Sequence, residues 1–175
     1  MPKVSMARRK LDLYETGDEL LGCLTRSANW HGLAGADTIW EPCAGPGALV
    51  RGLKARLNRA VVTNDIDPGH GCDYTMKAQH LLDVKPEDAV VTNPPFNEAP
   101  EIVPYLVGTG ALCCFLLRLT FLEPVKNRAD FLARRPPCEM IVCPRYSFTG
   151  NGKTDSVTCA WMIWNGLSGG IRVAG

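Results

Sequence analysis

The chain has 175 residues, a net charge of +1, and 46% apolar against 21% charged residues. That length is one domain with room for a sizeable core, and the composition excludes a disordered chain. The even charge balance excludes a strongly basic polyanion binder, and the longest apolar run, seven residues at 111–117, is far short of the ~20 that span a membrane.

Residues 1–13 read as a basic lead holding Lys3, Arg8, Arg9 and Lys10, without the apolar stretch of a secretory signal. A helix is predicted over 16–27. Thr16 and Glu19 stand at capping-box spacing, and Leu20, Leu21 and Leu24 give an apolar face. A short strand over 37–40 leads into the turn Glu41-Pro42-Cys43-Ala44-Gly45-Pro46-Gly47. Leu49, Val50, Leu53 and Leu57 then recur at helical spacing. A second strand, 60–63, ends at Asn64 and Asp65. A third lies near 72–74 and carries Asp73 at its end. A fourth, 88–92, is stopped by Pro94 and Pro95. A helix over 98–107, a strand buried on both faces over 111–117 and a helix over 126–133 follow. Late strands over 139–143 and 156–164 are joined by a loop holding Gly150 and Gly152.

Alternating strand and helix predict an α/β fold with a parallel sheet covered on both faces. The last two strands, with only a loop between them, predict an antiparallel hairpin at one edge. The eight cysteines include no C-x-x-C pair and sit mostly in apolar stretches. They read as buried free thiols of a cytoplasmic protein rather than as a disulfide framework or a metal site.

Ligands of such sheets bind beyond the C-terminal strand ends, where three motifs fall. In the first, Glu41–Gly47, two glycines between strand and helix permit close backbone approach. The pattern also fits a plain tight turn, and Val50 stands where a dinucleotide fingerprint would have its third glycine. Asp65, the second, lies 18 residues after Gly47, where a carboxylate can accept from a ribose diol or simply cap a loop. The third, Asn93-Pro94-Pro95-Phe96, is the sharpest. Two prolines remove two N–H donors. The turn then presents acceptors, the Asn93 side-chain oxygen and the Pro94 carbonyl, that can grip an amino group, while Phe96 offers a face for a planar ring.

Together these motifs resemble those of the S-adenosylmethionine-dependent N6-adenine methyltransferases. The resemblance runs from about Tyr14 to Trp164 and rests on EPCAGPG at 41–47, NDIDP at 64–68 and NPPF at 93–96. It implies a Rossmann-like class I methyltransferase fold, mostly parallel, with seven strands and an antiparallel C-terminal hairpin. Glu41, Pro42, Cys43, Ala44, Gly45 and Gly47 would surround the methionine part of the cofactor. Asp65, with Ile66 beside it, would hold the ribose, and Asp73 and Tyr74 would flank the cofactor adenine. Thr16, in a YET sequence at 14–16, would touch the cofactor carboxylate or serve only as a helix cap. Asn93 and Pro94 would hold the target amino group, with Pro95 fixing the turn. Phe96 would stack on the target base, and Tyr146 and Phe148 are candidates for a second stacking face. The cofactor would leave as S-adenosylhomocysteine.

The implied partner is nucleic acid, DNA ahead of RNA, and no membrane. No segment has room for a separate target-recognition region, so residues 14–175 read as one catalytic domain. Sequence choice would then be weak, or come from loop 146–155, from a specificity partner or from a homodimer. The short form resembles small phage and prophage adenine methyltransferases. Other readings keep the fold with an RNA base or a protein glutamine as substrate, although glutamine-modifying relatives tend to have Tyr where Phe96 stands. A non-catalytic cofactor-binding partner subunit and a nicotinamide oxidoreductase are further alternatives. The +1 charge hides basic stretches at 3–10, 51–59 and 118–155, and acids gathered at Glu41, Asp65, Asp67 and Asp73. Such stretches are either solvated faces or local phosphate-binding patches.

Overall fold

The computed structural model describes residues 16–125, 127–145 and 157–174. The lead 1–13, Tyr14, Tyr146 and Phe148 lie outside them. Eight strands form one sheet: β1 (Ile39–Glu41), β2 (Val62–Asp65), β3 (Tyr74–Thr75), β4 (Ala89–Thr92), β5 (Leu112–Arg118), β6 (Glu139–Val142), β7 (Cys159–Trp164) and β8 (Gly170–Val173). Their order is β3-β2-β1-β4-β5-β7-β6-β8. The first five run parallel, β7 lies antiparallel between β5 and β6, and β8 pairs parallel with β6.

The sheet is covered on both faces, which is why β4 and β5 read as continuous apolar runs rather than alternating ones. Alternate residues of β5 enter opposite cores, as the two-residue period of a strand requires. Cys114 and Leu116 join the core beneath α1 (Asp18–Leu24), α2 (Trp30–Gly35) and α3 (Ala48–Leu57). Cys113, Phe115 and Leu117 join the core beneath α4 (Ala99–Gly108) and α5 (Asn127–Arg134). The two fully buried tryptophans of β7 divide the same way. Trp161 donates to the Leu20 carbonyl (2.6 Å), and Trp164 donates to the Arg135 carbonyl (2.8 Å).

Four expectations need correction. The sheet has eight strands, not seven, and the β6–β7 hairpin is interior because β8 covers its outer edge. Residues 165–174 give no warning of this, being rich in glycine with only Ile171 and Val173 to mark a strand. The first helix is shorter than 16–27. Gly17 is its N-cap, with no side-chain cap bond, so the Thr16–Glu19 box does not form. The helix stops because buried Glu139 takes the donors that follow it, Ser27 Oγ (2.6 Å), the Ala28 amide (3.0 Å) and Asn29 Nδ2 (2.8 Å). Finally, Asp73 precedes β3 rather than ending it, because Asn64 pairs with Tyr74 and Asp65 with Thr75.

Candidate active site

The C-terminal ends of β1, β2 and β4 open on a cavity of about 340 Å³, within the range of small-molecule sites. Its floor is the loop after β1. Gly45 (φ +51°) and Gly47 (φ +81°) hold left-handed backbone that favours glycine. The amides of this loop are all turned inward. Cys43 donates to Glu41 Oε1 (3.1 Å), Ala44 to the Asn64 carbonyl (2.9 Å), Gly45 to Asp65 Oδ2 (2.8 Å) and Gly47 to the Ala44 carbonyl (2.9 Å). Pro42 and Pro46 have no N–H. The loop therefore offers no free amide to a diphosphate, unlike the glycine-rich turns that cradle one.

Glu41 is 1% exposed and borders the cavity. Its Oε2 has no hydrogen-bond partner, and neither has Oγ1 of buried Thr92. Burial pushes the Glu41 carboxyl up to about 8; the Cys43 amide opposes the rise, as does the Thr92 hydroxyl, which lies nearby but outside hydrogen-bonding geometry, and Asp65 adds to it. Burial and the Glu41 charge also push the Cys43 thiol well up, which leaves it inert.

Asp65 accepts one amide on each oxygen, from Gly45 (2.8 Å) and Asp67 (2.9 Å). A carboxylate oxygen has a second lone pair, so the residue can accept again from the cavity it lines. Asn64, not singled out from sequence, ties the two walls together. Its Nδ2 donates to the carbonyls of Pro42 (2.8 Å) and Met76 (3.0 Å), and its Oδ1 accepts from the Met76 amide (3.1 Å).

Asn93 and Pro95 also line the cavity. The Pro95 carbonyl is committed to the amides of Glu98 (3.0 Å) and Ala99 (2.9 Å), while the Pro94 carbonyl has no backbone donor among the described residues. Of the acceptors expected from the sequence, Asn93 therefore lines the cavity, and Pro94 adjoins it in the chain without lining it. Phe96 lies outside the cavity lining, packed partly on the core, with the Arg118 guanidinium over its ring.

The cavity brings together Thr16, Glu41, Pro42, Cys43, Ala44, Gly45, Asp65, Ile66, Asn93 and Pro95. Gly47, Pro94 and Phe96 support it from outside. Asp73 and Tyr74 do not reach it. Asp73 accepts from the Thr63 amide and hydroxyl (both 2.8 Å), which hold its carboxyl below the ordinary range. Tyr74 stacks at a tilt on Trp40, 5.6 Å between centroids. The wall expected from Asp73 is built instead by Met76, Lys77 and Ala78, which follow β3. Their position depended on the register of a two-residue strand. The three arginines of the basic run at 51–59 are also engaged within the fold. Arg56 pairs with Asp18, Arg51 binds the Pro46 carbonyl (2.8 Å), and Arg59 binds the carbonyls of Ala34, Ala36 and Asp37.

The sheet order, the reversed β7 and the glycine loop after β1 define a Rossmann-like methyltransferase fold. No protein-family model matches the chain, and no curated protein matches it. Solved structures do. The M protein of the type I restriction enzyme EcoKI superposes with a TM-score of 0.62 at 15% identity, over 90% of this chain and 46% of that one. The methyltransferase subunit of a type I restriction-modification system from Streptococcus thermophilus gives 0.58 at 12% identity, over 87% and 45%. A putative class I S-adenosylmethionine-dependent methyltransferase from Listeria monocytogenes gives 0.50 at 12%, over 90% and 62%. The chain thus has the class I methyltransferase fold, and it spans less than half the length of the two type I proteins. No helix among its described residues is long and apolar enough to cross a membrane.

Proposed function

We propose that the chain is the catalytic domain of an S-adenosylmethionine-dependent methyltransferase acting on the N6 amino group of adenine in DNA. The observation that carries this reading is one cavity edged by Glu41, Asp65 and the Asn93 turn, over a glycine loop whose amides are all satisfied internally. The acceptors Glu41, Asp65 and Asn93 suit a cation bearing hydroxyls. The unpartnered Glu41 oxygen fits the ammonium end of the cofactor, Asp65 fits the ribose diol, and Met76, Ala78 and Ile102 supply apolar walls for a purine. A nicotinamide dinucleotide would find the carboxyl groups of Glu41, Asp65, Asp67 and Glu98 in the lining and no free amide in the 41–47 loop for its phosphates.

S-adenosylmethionine, when bound, supplies a methyl group activated by a sulfonium. The chain's own contribution is placement. The two amino hydrogens of adenine donate to Asn93 Oδ1 and the Pro94 carbonyl. The nitrogen lone pair is then turned into the cavity, and both acceptors favour the positive charge that develops on nitrogen. The paired prolines hold this geometry before substrate arrives. No protein nucleophile is required. In duplex DNA the adenine must first leave the stack. The type I neighbours are subunits by name, and we propose that a partner subunit supplies target choice here as well.

The test is incubation with methyl-labelled cofactor and separate pools of DNA, RNA and protein, followed by digestion to nucleosides. Label in N6-methyladenine of DNA is the expected result. Label confined to RNA or to protein glutamine overturns the substrate assignment, and no cofactor binding at all overturns the class.

A further inference from the structure

β5 runs three residues beyond its last partner in β4, because Thr92 pairs with Phe115 and the strand ends at Arg118. That overhang brings Arg118 beside the turn at 93–96. Its guanidinium carbon lies 4.1 Å from the centroid of the Phe96 ring. Arg56 and Arg172 each have a carboxylate, Asp18 and Glu139. Among the described residues no carboxylate lies within ion-pairing distance of Arg118. A half-buried cation beside the 93–96 turn is thus held against the ring that the proposed function assigns to the target base.

A guanidinium and a purine are both flat, polarisable plates, and each stacks on an aromatic face with comparable strength. One can therefore replace the other without baring the ring to water. We propose that Arg118 occupies the base position on Phe96 when no nucleic acid is bound, and that an arriving adenine displaces it onto a backbone phosphate of the same strand. The guanidinium fork suits that second role, since it can bind two phosphate oxygens at once. This inference rests on the DNA-adenine reading above and deepens it. Its particular content is that the Arg118–phosphate contact forms only when a base has taken the ring.

The experiment compares two single-stranded oligonucleotide pools. One carries a single adenine in random C, G and T flanks, and the other carries an abasic site in its place. Affinity is measured by fluorescence anisotropy across a salt series for the wild type, Arg118→Ala and Arg118→Lys. Each phosphate neutralised on a single strand contributes about 0.7 to the slope of log affinity against log salt. The wild type should show a slope steeper by about 0.7 on adenine than on the abasic pool. Arg118→Ala should erase that difference, weaken adenine binding about 5-fold at 0.1 M salt, and leave abasic binding within 2-fold. Arg118→Lys keeps the charge without the plate, so it should show the steeper slope on both pools. Equal losses on both pools would make Arg118 a standing phosphate contact and overturn the proposal. So would tighter adenine binding by Arg118→Ala, or no change on either pool. Wild-type methylation of the adenine pool reports on the function separately. If methyl is transferred but Arg118 is indifferent to the base, only the displacement idea fails, whereas no transfer to adenine in any DNA removes the reading beneath it. Unchanged cofactor affinity and thermal midpoint in the variants establish that both are folded.

Discussion

Glu41→Gln is the most telling single substitution, because burial costs the native carboxylate so much. The side chain is 1% exposed, and its carboxyl is pushed from an ordinary 4.5 up to about 8. At about 1.36 kcal/mol per pH unit, that gap corresponds to about 5 kcal/mol against the ionised form. The raised value sets the sign. The stability tied to this group is complete below pH 4.5 and is lost as pH rises through about 8. Between pH 5.5 and 8.5 the wild type should lose about 3 kcal/mol from Glu41 alone. Glutamine keeps the shape and cannot ionise, so its urea-unfolding free energies at pH 5.5, 7.0 and 8.5 should lack that decline. Cofactor binding probes the same proton. At pH 7 the free carboxyl is mostly protonated, and an ammonium beside Oε2 would ionise it, releasing about 0.9 proton per site. Calorimetry in buffers of different ionisation enthalpy measures that release, which the variant should not show. Equal pH dependence of stability in the two proteins would refute the reasoning, and absence of proton release would refute the ammonium contact.

Asn93→Ala should lower methyl transfer at least ~100-fold while leaving cofactor affinity within a few-fold, because it removes the acceptor proposed to hold the substrate amino group; single-turnover kinetics and calorimetry check the two halves. Asn64→Ala strips partners from Pro42, Met76 and the Met76 amide in a fully buried position. It should cost about 3 kcal/mol in chemical unfolding and weaken cofactor binding, although Asn64 does not line the cavity. Glu139→Gln sets an amide against the donors Ser27, Ala28 and Asn29 and should cost about 3 kcal/mol. Burial raises the Glu139 carboxyl, but those donors and Arg172 outweigh it and leave it low. Its stabilisation is therefore present above the ordinary glutamate range and lost in acid, so the variant should unfold less steeply below pH 4.5 than the wild type.

What was legible in the sequence follows from how locally each feature is determined. β4, β5 and β7 are buried on both faces, so their apolar runs announce them, and the Asn-Pro-Pro-Phe turn carries its own backbone constraints. Asp65 was legible because it ends a strand that a glycine loop precedes at the right distance. Asp73 was misplaced because β3 has only two residues and begins at Tyr74, one residue later than a strand bearing Asp73 requires, and a one-residue shift turns a side chain to the other face. Asn64 could not be found at all. Its role is to bridge Pro42 and Met76, a contact made only once β1, β2 and β3 lie side by side. β8 was missed for a related reason. Its pairing is set by β6 and by the close seat of Gly169 against Glu139, where a Cβ would come within 2.3 Å of the carboxylate, rather than by any apolar period of its own.

The charge distribution separates more cleanly in three dimensions than along the chain. Of the acids gathered at the strand ends, Glu41, Asp65 and Asp67 line the cavity, and Asp73 is spent on Thr63. Of the basic stretch at 51–59, the three arginines are engaged as well, Arg56 on Asp18 and Arg51 and Arg59 on backbone carbonyls. Further along the chain, Arg118 at the end of β5 stands over Phe96 beside the 93–96 turn, and Arg128 lies near Phe121, 5.5 Å from the ring centroid. A cavity edged by carboxylates, with an arginine beside the 93–96 turn, is the arrangement required when a cationic cofactor and a polyanionic substrate must approach one another. A net charge of +1 over the whole chain averages across such opposed surfaces, which is why the total alone could not reveal either.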